Sequence, residues 1–236
     1  MENLEILYSD DYLVAINKPG GLLVHRTDLD RFETQFAVQI LRDQLNKHVF
    51  PIHRLDKPTS GVLLFALQKE TAQQISELLL NKHIHKEYIA IVRGWMPDNI
   101  QVDRGVRADK NRPRKEAVTN FSKISQVEVP FPVGPFETAR YSLIRALPDT
   151  GRRHQIRKHL NHISYPILGD SWYGDRDHNN FAKEEFGLAD LFLHALRVKF
   201  IHPNLNEQLI IDAPIPLQWQ EMLDHLGFGN EIINEL

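Results

Sequence analysis

The sequence predicts a single α+β domain with a mixed or antiparallel central sheet flanked by helices and loops. Short apolar runs bounded by turn residues recur along the chain and are typical of strands, whereas other segments place apolar residues at helical spacing. The 236 residues contain no internal repeat, low-complexity tract or Ser/Gly linker. A single domain over residues 1–236, with a core from about residue 6 to residue 213, is therefore the simplest interpretation.

The predicted strands are apolar and β-branched runs that end at Gly, Pro, Asp or Ser. In chain order they cover residues 4–8, 12–16, 61–67, 88–94, 192–195, 198–201 and 209–211, with short strands joined by charged or Pro-rich loops between residues 102 and 147. The first two flank the turn Ser9-Asp10-Asp11, and the breaker Lys18-Pro19-Gly20-Gly21 follows the second. Strands therefore dominate the start of the chain.

Helical spacing of apolar residues predicts four helices. They cover residues 36–45, 71–82, 151–163 and 218–226. The second has the clearest pattern, because its apolar side chains from Ala72 to Leu79 fall on one side. The third is expected to begin after Thr150-Gly151, to turn Ile156 and Leu160 inward, and to present a basic, imidazole-rich outer face.

The composition excludes several kinds of chemistry. The chain has no cysteine, so it cannot form a disulfide, a cysteine-ligated metal site or a thiol nucleophile. Its first residues show no basic segment followed by an apolar one, and no apolar stretch approaches the roughly 18 residues of a membrane span. We therefore expect a soluble protein of the reducing cytoplasm with no membrane partner.

Charge is strongly segregated along the chain, although the net charge is only -3. Residues 104–158 contain 13 Lys and Arg but only 5 Asp and Glu, whereas residues 203–236 contain no Lys or Arg and 6 Asp and Glu. A locally basic segment is what a phosphate-contacting surface requires. A solvated basic loop would have the same composition, so charge alone leaves both interpretations open.

A polar cluster precedes the apolar strand predicted at residues 61–67. It is the run His53-Arg54-Leu55-Asp56-Lys57-Pro58-Thr59-Ser60-Gly61. A turn closed by Pro58 and Gly61 can present the Asp56 carboxylate at the rim of a sheet. The alternative is an ordinary surface loop in which Asp56 pairs with Arg54 or Lys57.

A second polar cluster, residues 151–159, occurs at the start of the predicted third helix. The free N–H groups of a helix N-terminus, together with added cations, favour an anion such as a phosphate or an ionised carboxylate. Arg153 and Arg157 are one helical turn apart and can serve both kinds of anion.

Several motifs together resemble the RluA-type pseudouridine synthases in order and spacing. They are H-R-L-D-x-x-T-S-G at 53–61, K-x-Y at 86–88, T-G-R-x-H-Q-I-R at 150–157, P-I-L-G-D at 166–170 with Tyr-Gly at 173–174, Leu-His-Ala at 193–195 and His-Pro at 202–203. The similarity extends from Ile6 to about Ala213. It implies a pseudouridine synthase catalytic domain without an S4-type RNA-binding module.

The resemblance implies three catalytic residues. Asp56 matches the catalytic aspartate, which in its ionised form attacks the ribose anomeric carbon or the uracil, or otherwise assists departure of the base, and the sequence leaves the choice among these open. Arg157 would pair with Asp56 and favour its ionised form. Tyr88 would stack on the target base and move a proton late in the reaction; the alternative is an ordinary half-buried strand aromatic.

The resemblance also implies contacts with RNA and with the flipped base. Arg54 matches an arginine that fills the gap left by the base, and Leu193 an apolar residue that lines the pocket. The other expected RNA-binding residues are His53, Arg152, Arg153 and His154. Arg153 and Lys158 depart from the commoner family form, which adds charge where phosphates are expected and bears on substrate choice.

The implied reaction is an isomerisation of a uridine in RNA. The N1 glycosidic bond breaks, uracil turns within the site, and C5 joins the same ribose carbon, so we expect no cofactor. Three histidines, His154, His159 and His162, suggest a metal site, but the chain lacks an H-E-x-x-H signature and a nearby carboxylate at ligand spacing. We therefore expect no metal, and we expect a monomer because the basic face must stay open.

Further residues resemble a tRNA-directed branch of the family. They are Arg26 after Val24-His25, Asp43-Gln44 with His48-Val49-Phe50, and Val92-Arg93-Gly94-Trp95. This resemblance implies uridine 65 of tRNA as the target. A ribosomal RNA site is the main alternative, and the role of the basic segment at residues 104–115 stays open.

Two other classes of protein could use parts of this pattern. An aspartate-nucleophile phosphatase would use Asp56 as a phosphoryl acceptor, but such enzymes usually carry a second Asp two residues on, where this chain has Pro58. A non-catalytic RNA-binding protein would need the same fold and surface without activity. The joint presence of Asp56, Tyr88 and Arg157 argues against that alternative.

Overall fold

A computed structural model describes residues 3–26, 33–109 and 111–229 of the chain. Within these ranges it contains twelve strands and five helices, which confirms the predicted α+β class. The strands are β1 Glu5–Ser9, β2 Leu13–Lys18, β3 Phe50–Pro51, β4 Ser60–Ala66, β5 His85–Arg93, β6 Asn99–Asp103, β7 Val106–Arg107, β8 Arg114–Lys115, β9 Val118–Val129, β10 Ala139–Pro148, β11 Leu193–Ile201 and β12 Gln208–Asp212. The helices are α1 Ala37–Leu45, α2 Lys69–Leu80, α3 Gln155–His162, α4 Arg176–Phe186 and α5 Leu217–Leu226.

Contacts group the chain into two compact units, each made of two chain segments. The first unit comprises residues 1–86 and 195–214, and the second comprises residues 87–194 and 215–236. The prediction of a single domain over the whole chain stays a prediction.

The first unit is built on a sheet with the strand order β1-β2-β4-β11, in which β3 also pairs with β4 and β12 with β11. The β1–β2, β2–β4 and β11–β12 pairs are antiparallel. Every residue of β4 is buried. Its apolar side chains share a core with side chains of α2, β2, β11 and β12. Members of that core include Leu13, Leu64, Ile75, Phe200 and Ile211. The unit therefore has its own hydrophobic core, which supports the turn in front of β4.

The second unit contains the strand order β5-β10-β9-β6, with antiparallel pairing throughout. Between residues 102 and 147, where short strands are predicted, β7 and β8 are short, whereas β9 and β10 are long. A separate two-stranded hairpin, β7–β8, carries part of the basic segment. The strand β5 brings Tyr88 opposite Ala146 of β10.

The helix prediction is wrong in two respects: it misses α4, and it starts α3 too early. Helix α4 was not predicted; it forms because the Asp175 side chain accepts the N–H groups of Asp177 and His178, and Gly187 ends it in a left-handed conformation. Helix α3 starts at Gln155 and not at residue 151, since His154 has a φ of 55° and interrupts the helical path. No helix in the described part of the chain combines the length and apolar character that a membrane crossing needs.

Candidate active site

The predicted catalytic aspartate lies on a tight turn at the start of β4, in the first unit. The Thr59 N–H donates to the Asp56 carbonyl at 3.1 Å, which closes the turn. Leu55 is buried beside it, whereas the Asp56 side chain is half-buried and Arg54 is exposed. The sequence therefore places one buried anchor before a carboxylate that retains access to solvent.

A buried lysine fixes this turn to the strand β2. The Lys18 ammonium is fully buried and donates to the carbonyls of Pro19 at 2.7 Å, Leu22 at 2.9 Å and Lys57 at 3.1 Å. Burial lowers the pKa of Lys18 to about 7, and the negative charge of Asp56 acts in the opposite direction. One side chain thus ties the turn that carries Asp56 to the segment after β2.

The neighbours of Asp56 have partners of their own in the first unit. Lys57 donates to the Glu33 carboxylate at 2.5 Å, and the Gly21 N–H donates to the Lys57 carbonyl at 2.9 Å. These contacts add two anchors on the side of the turn that follows Asp56. They limit the freedom of the backbone on this side of Asp56.

Glycine is required at position 61, where the turn enters β4. Gly61 has a φ of +107°, and a Cβ atom there would lie 2.2 Å from the carbonyl oxygen of Ala195. Any side chain would therefore collide with β11 as well as strain the backbone. The Gly61 of the motif therefore allows β4 and β11 to approach each other closely.

His53 serves the fold of the first unit directly. Its Nε2 accepts a hydrogen bond from the Leu64 N–H at 3.2 Å, so this nitrogen carries no proton. Burial lowers the pKa of His53 to about 4, and the nearby Lys86 cation acts in the same direction. The predicted contact of His53 with RNA stays a prediction. The hydrogen bond to Leu64 shows that the ring also stabilises the fold.

His53 is expected to make folding sensitive to acid. Its folded-state pKa of about 4 lies below the ordinary value of about 6.5, so between these values the unfolded chain binds a proton that the folded chain does not. The free energy of unfolding should therefore fall as the pH drops through this range. His53→Gln, which keeps an acceptor but does not titrate, should remove this part of the pH dependence in urea unfolding.

The control for this measurement is His83→Gln, at an exposed position of the same unit. It should keep the wild-type dependence on pH. A His53→Gln curve that runs parallel to the wild-type curve would contradict the assignment.

In the second unit, the predicted catalytic arginine forms a buried, bidentate ion pair with Asp170. Arg157 Nε lies 2.7 Å from Asp170 Oδ2, and Arg157 Nη2 lies 2.7 Å from Asp170 Oδ1. The two side chains are 4% and 0% exposed. Asp170 is the last residue of the P-I-L-G-D motif at 166–170, but nothing in the sequence pattern predicts that it pairs with Arg157. The predicted pairing of Arg157 with Asp56 stays a prediction.

Asp170 also shapes the turn that follows it. Its Oδ1 accepts the N–H groups of Trp172 and Tyr173 at 2.9 and 3.0 Å. Burial alone would raise the pKa of Asp170, but the hydrogen bond and charge of Arg157 and these two N–H groups together hold it below the ordinary value. Asp170 is therefore an ionised link between α3 and the turn at residues 170–174.

The segment before α3 is held by Gln155 and not by further helical turns. The Gln155 side chain accepts from Thr150 Oγ1 at 2.6 Å and from the Arg152 N–H at 3.0 Å, and it donates to the Val118 carbonyl at 2.9 Å. The left-handed His154 places its Nδ1 3.0 Å from the Tyr173 hydroxyl. Residues 151–154 of the second polar cluster therefore form a fixed loop before α3.

The remaining predicted residues of this unit occupy different environments. Tyr88 is half-buried on β5, and Leu193 is buried at the first position of β11. Arg152 is exposed and donates through Nε to the Glu116 carbonyl at 3.1 Å, whereas Arg153 is half-buried. His154 and Arg157 approach the same Tyr173 ring. The structure therefore brings His154 and Arg157 together around Tyr173 and Asp170.

The histidines on and near α3 do not form a shared metal site in the described part of the chain. His159 is buried, with its ring nitrogens 3.0 Å from Thr119 Oγ1 and 2.9 Å from the Arg104 carbonyl. Burial lowers the pKa of His159. Among the described residues, no group of three or more His, Cys, Asp or Glu side chains has an arrangement that could hold a metal ion.

Comparisons with known proteins place the whole chain in one family. A model of the family described as RNA pseudouridylate synthase matches residues 12–162. The tRNA pseudouridine synthase C of Haemophilus influenzae is 46% identical over 237 residues, which cover 96% of this chain and 99% of that protein. The tRNA pseudouridine synthase C of Vibrio parahaemolyticus is 44% identical over 240 residues, which cover 98% of each protein.

Solved structures agree with this relationship. The human protein RNA Pseudouridylate Synthase Domain Containing 4 superimposes with a TM-score of 0.72 at 28% identity, over 94% of this chain and 93% of that one. Human RNA Pseudouridylate Synthase Domain Containing 1 gives a TM-score of 0.71 at 22% identity, over 91% of this chain and 84% of that one, and shows the same fold. The chain belongs to the RNA pseudouridylate synthase family, in its RluA-type branch, and is an RNA pseudouridine synthase.

Proposed function

We propose that the substrate of this enzyme is tRNA and that it converts one uridine, uridine 65, to pseudouridine. The observation that carries the tRNA assignment is the similarity, over nearly the full length of both chains, to proteins named tRNA pseudouridine synthase C. The tRNA-directed features of the sequence, such as Arg93-Gly94-Trp95, support the same assignment.

In the proposed mechanism, Asp56 is the catalytic carboxylate. It acts on the ribose or on the uracil while the N1 glycosidic bond breaks, and the same ribose carbon then bonds to C5. The proton on C5 is released and N1 gains one, so the product is an isomer of uridine. The three backbone anchors made by Lys18 and the half-buried setting of Asp56 support this role, because a preorganised carboxylate loses little freedom on reaching the transition state.

The other proposed residues act on the base and on Asp56. Tyr88 stacks on the target uracil and moves a proton late in the reaction, and Leu193 lines the apolar pocket for the base. Arg54 fills the gap that the flipped uridine leaves in the RNA, which its exposure supports. Arg157 supports the ionised form of Asp56.

The basic segment is proposed to contact RNA phosphates. Arg107, Arg112, Arg114 and Lys115 are exposed on and beside the β7–β8 hairpin. Lys158 of α3 donates to the Arg107 carbonyl at 2.7 Å, so the hairpin and the helix form one basic surface within the second unit. Such a surface supplies sequence-independent, salt-sensitive attraction for RNA. His53, Arg152, Arg153 and His154 are the other proposed RNA contacts.

The experiment that tests the tRNA assignment is modification in vitro. Unmodified tRNA and fragments of large-subunit ribosomal RNA are incubated with the enzyme in EDTA without any cofactor, and pseudouridine is mapped by carbodiimide-dependent primer extension. We expect one stop, at uridine 65 of tRNA. A stop only in ribosomal RNA would keep the reaction and overturn the tRNA assignment, and no stop in any RNA would favour a non-catalytic RNA-binding protein.

The proposal includes a monomeric enzyme that works in the cytoplasm with neither metal nor cofactor. Size-exclusion chromatography coupled to light scattering measures the molar mass of the enzyme, with and without tRNA. A dimer in both states would overturn the monomer. Loss of activity in EDTA would overturn the metal-free mechanism.

A further inference from the structure

An exposed tryptophan stands on an ordered turn of the second unit. Trp172 is 68% exposed, although its own N–H and that of Tyr173 are bonded to Asp170 at 2.9 and 3.0 Å. The Tyr173 carbonyl accepts from Asn161 Nδ2 at 2.6 Å. The backbone therefore presents this large aromatic side chain to solvent in a defined place, and burial in the core of the unit does not explain it.

Two other rings contact Trp172 and form a small aromatic cluster with it. The His154 and Trp172 ring centroids are 5.6 Å apart with planes at 86°, and those of Trp172 and Tyr173 are 6.5 Å apart. His154 is itself fixed by its left-handed backbone and by the contact of its Nδ1 with the Tyr173 hydroxyl. Trp172, His154 and Tyr173 are called the aromatic platform below.

A lysine of α3 lies beside the aromatic platform. The Lys158 ammonium is 5.8 Å from the Tyr173 ring centroid and donates to the carbonyls of Arg153 and Arg107. Lys158 therefore connects the platform to the β7–β8 hairpin through the Arg107 backbone. A protein partner of apolar character would gain nothing from this charge, whereas a nucleic acid offers both phosphates for the cations and flat bases for the rings.

The other two tryptophans are engaged within the protein. Trp95 donates through Nε1 to the Val127 carbonyl at 3.1 Å, and the Arg140 guanidinium lies 4.2 Å from the centroid of its ring. Trp219 is buried. Trp172 therefore has the largest exposed fraction among the three tryptophans of the chain.

We propose that Trp172 stacks on an unpaired base of the RNA substrate other than the target uridine. The stacked nucleotide adds affinity and fixes the RNA on the second unit, while the chemistry stays with Asp56. This inference rests on the proposed function for the RNA substrate. It assigns an RNA-binding role to a residue that lies between the motif positions Gly169-Asp170 and Tyr173-Gly174 and belongs to neither.

The first test is intrinsic fluorescence. A short single-stranded oligoribonucleotide and unmodified tRNA are titrated separately into the wild type and into Trp172→Phe. Stacking quenches an indole, so we expect a saturable decrease in the wild type that is lost in Trp172→Phe. A decrease of equal size in Trp172→Phe would overturn the proposal.

The second test separates binding from chemistry. We expect Trp172→Ala to raise KM about ten-fold, within the range measured for loss of one base–aromatic stack, with kcat within about two-fold of the wild type. Trp172→Phe keeps a flat ring and should recover most of the loss. The matched control is Phe136→Ala, since Phe136 is 67% exposed in the same unit; its KM should not change.

Each outcome decides the proposal. An unchanged KM in Trp172→Ala, an equal change in Phe136→Ala, or a fall in kcat alone would overturn it. A wild-type enzyme that modifies no tRNA would count against the proposed function, and the oligoribonucleotide titration would still show whether Trp172 stacks on a base.

Discussion

Asp56→Asn is expected to abolish pseudouridine formation while it leaves RNA binding intact. The change removes the charge but keeps the size of the side chain, so the turn held by Lys18 and by the Thr59 N–H should persist. Loss of a group that carries the chemistry costs on the order of 10⁴-fold or more in other enzymes. Single-turnover assays with excess enzyme would measure the rate, and filter binding would measure the affinity for tRNA.

The matched control for Asp56→Asn is Asp11→Asn, at an exposed turn position of the same unit. Its rate should equal that of the wild type. A rate for Asp56→Asn within about ten-fold of the wild type would show that another group carries the reaction. Equal losses of binding and of rate would indicate a structural role for Asp56.

Asp170→Asn is expected to produce the largest loss of stability among single polar substitutions in the second unit. The change removes the carboxylate charge that the buried Arg157 guanidinium contacts at two points, and removal of one member of a buried ion pair costs about 3–5 kcal/mol. Urea unfolding would measure the difference. Because the pKa of Asp170 is lowered in the folded chain, this contribution is complete above the ordinary carboxyl value and is lost as the pH falls below it.

The chain offers a matched control on its surface. Arg197 and Asp212 form a similar two-point ion pair, but their side chains are 37% and 50% exposed. Asp212→Asn should therefore cost no more than about 1 kcal/mol. Equal costs for the two substitutions would show that burial of the Arg157–Asp170 pair does not matter for stability.

The sequence predicted those elements whose side chains alternate or repeat clearly. Helices α1, α2 and α5 form within two residues of their predicted positions, because one side of each is apolar. Helix α4 begins with Arg176-Asp177-His178-Asn179-Asn180, which has no such side. Its ends depend on the Asp175 cap and on Gly187, and these are weak signals without knowledge of the surroundings.

The strands show the same dependence on distant partners. Two strands predicted at residues 192–195 and 198–201 form one strand, β11, because Arg197 pairs with Asp212 of β12 across the expected gap. The long strand β9 carries polar residues such as Ser122 and Lys123 within its length, and pairing with β10 keeps them in the sheet although the register shifts beside Lys123. Local patterns do not report such pairing.

For the candidate site, the sequence predicts Asp56 and Arg157 as catalytic residues, but it does not predict the residues that hold them. The Lys18 ammonium bonds to a carbonyl 39 residues away, and Arg157 bonds to a carboxylate 13 residues away. Neither spacing follows a helix or strand period. Trp172 lies beside a recognised motif, but only its exposure in the structure distinguishes it from a core aromatic.

The close contact of Gly61 with Ala195 has a consequence for how the protein is made. The two residues meet in the first unit, but about 130 residues of chain separate them, so the ribosome completes β2 and β4 long before β11 emerges. During that interval the edge of β4 opposite β2 is covered only at Phe65 and Ala66, by β3, although the strand is buried along its whole length in the finished protein. Non-local pairing of this kind is slow, and open apolar edges aggregate. The nascent chain is therefore expected to need chaperone protection until residue 214 has been synthesised.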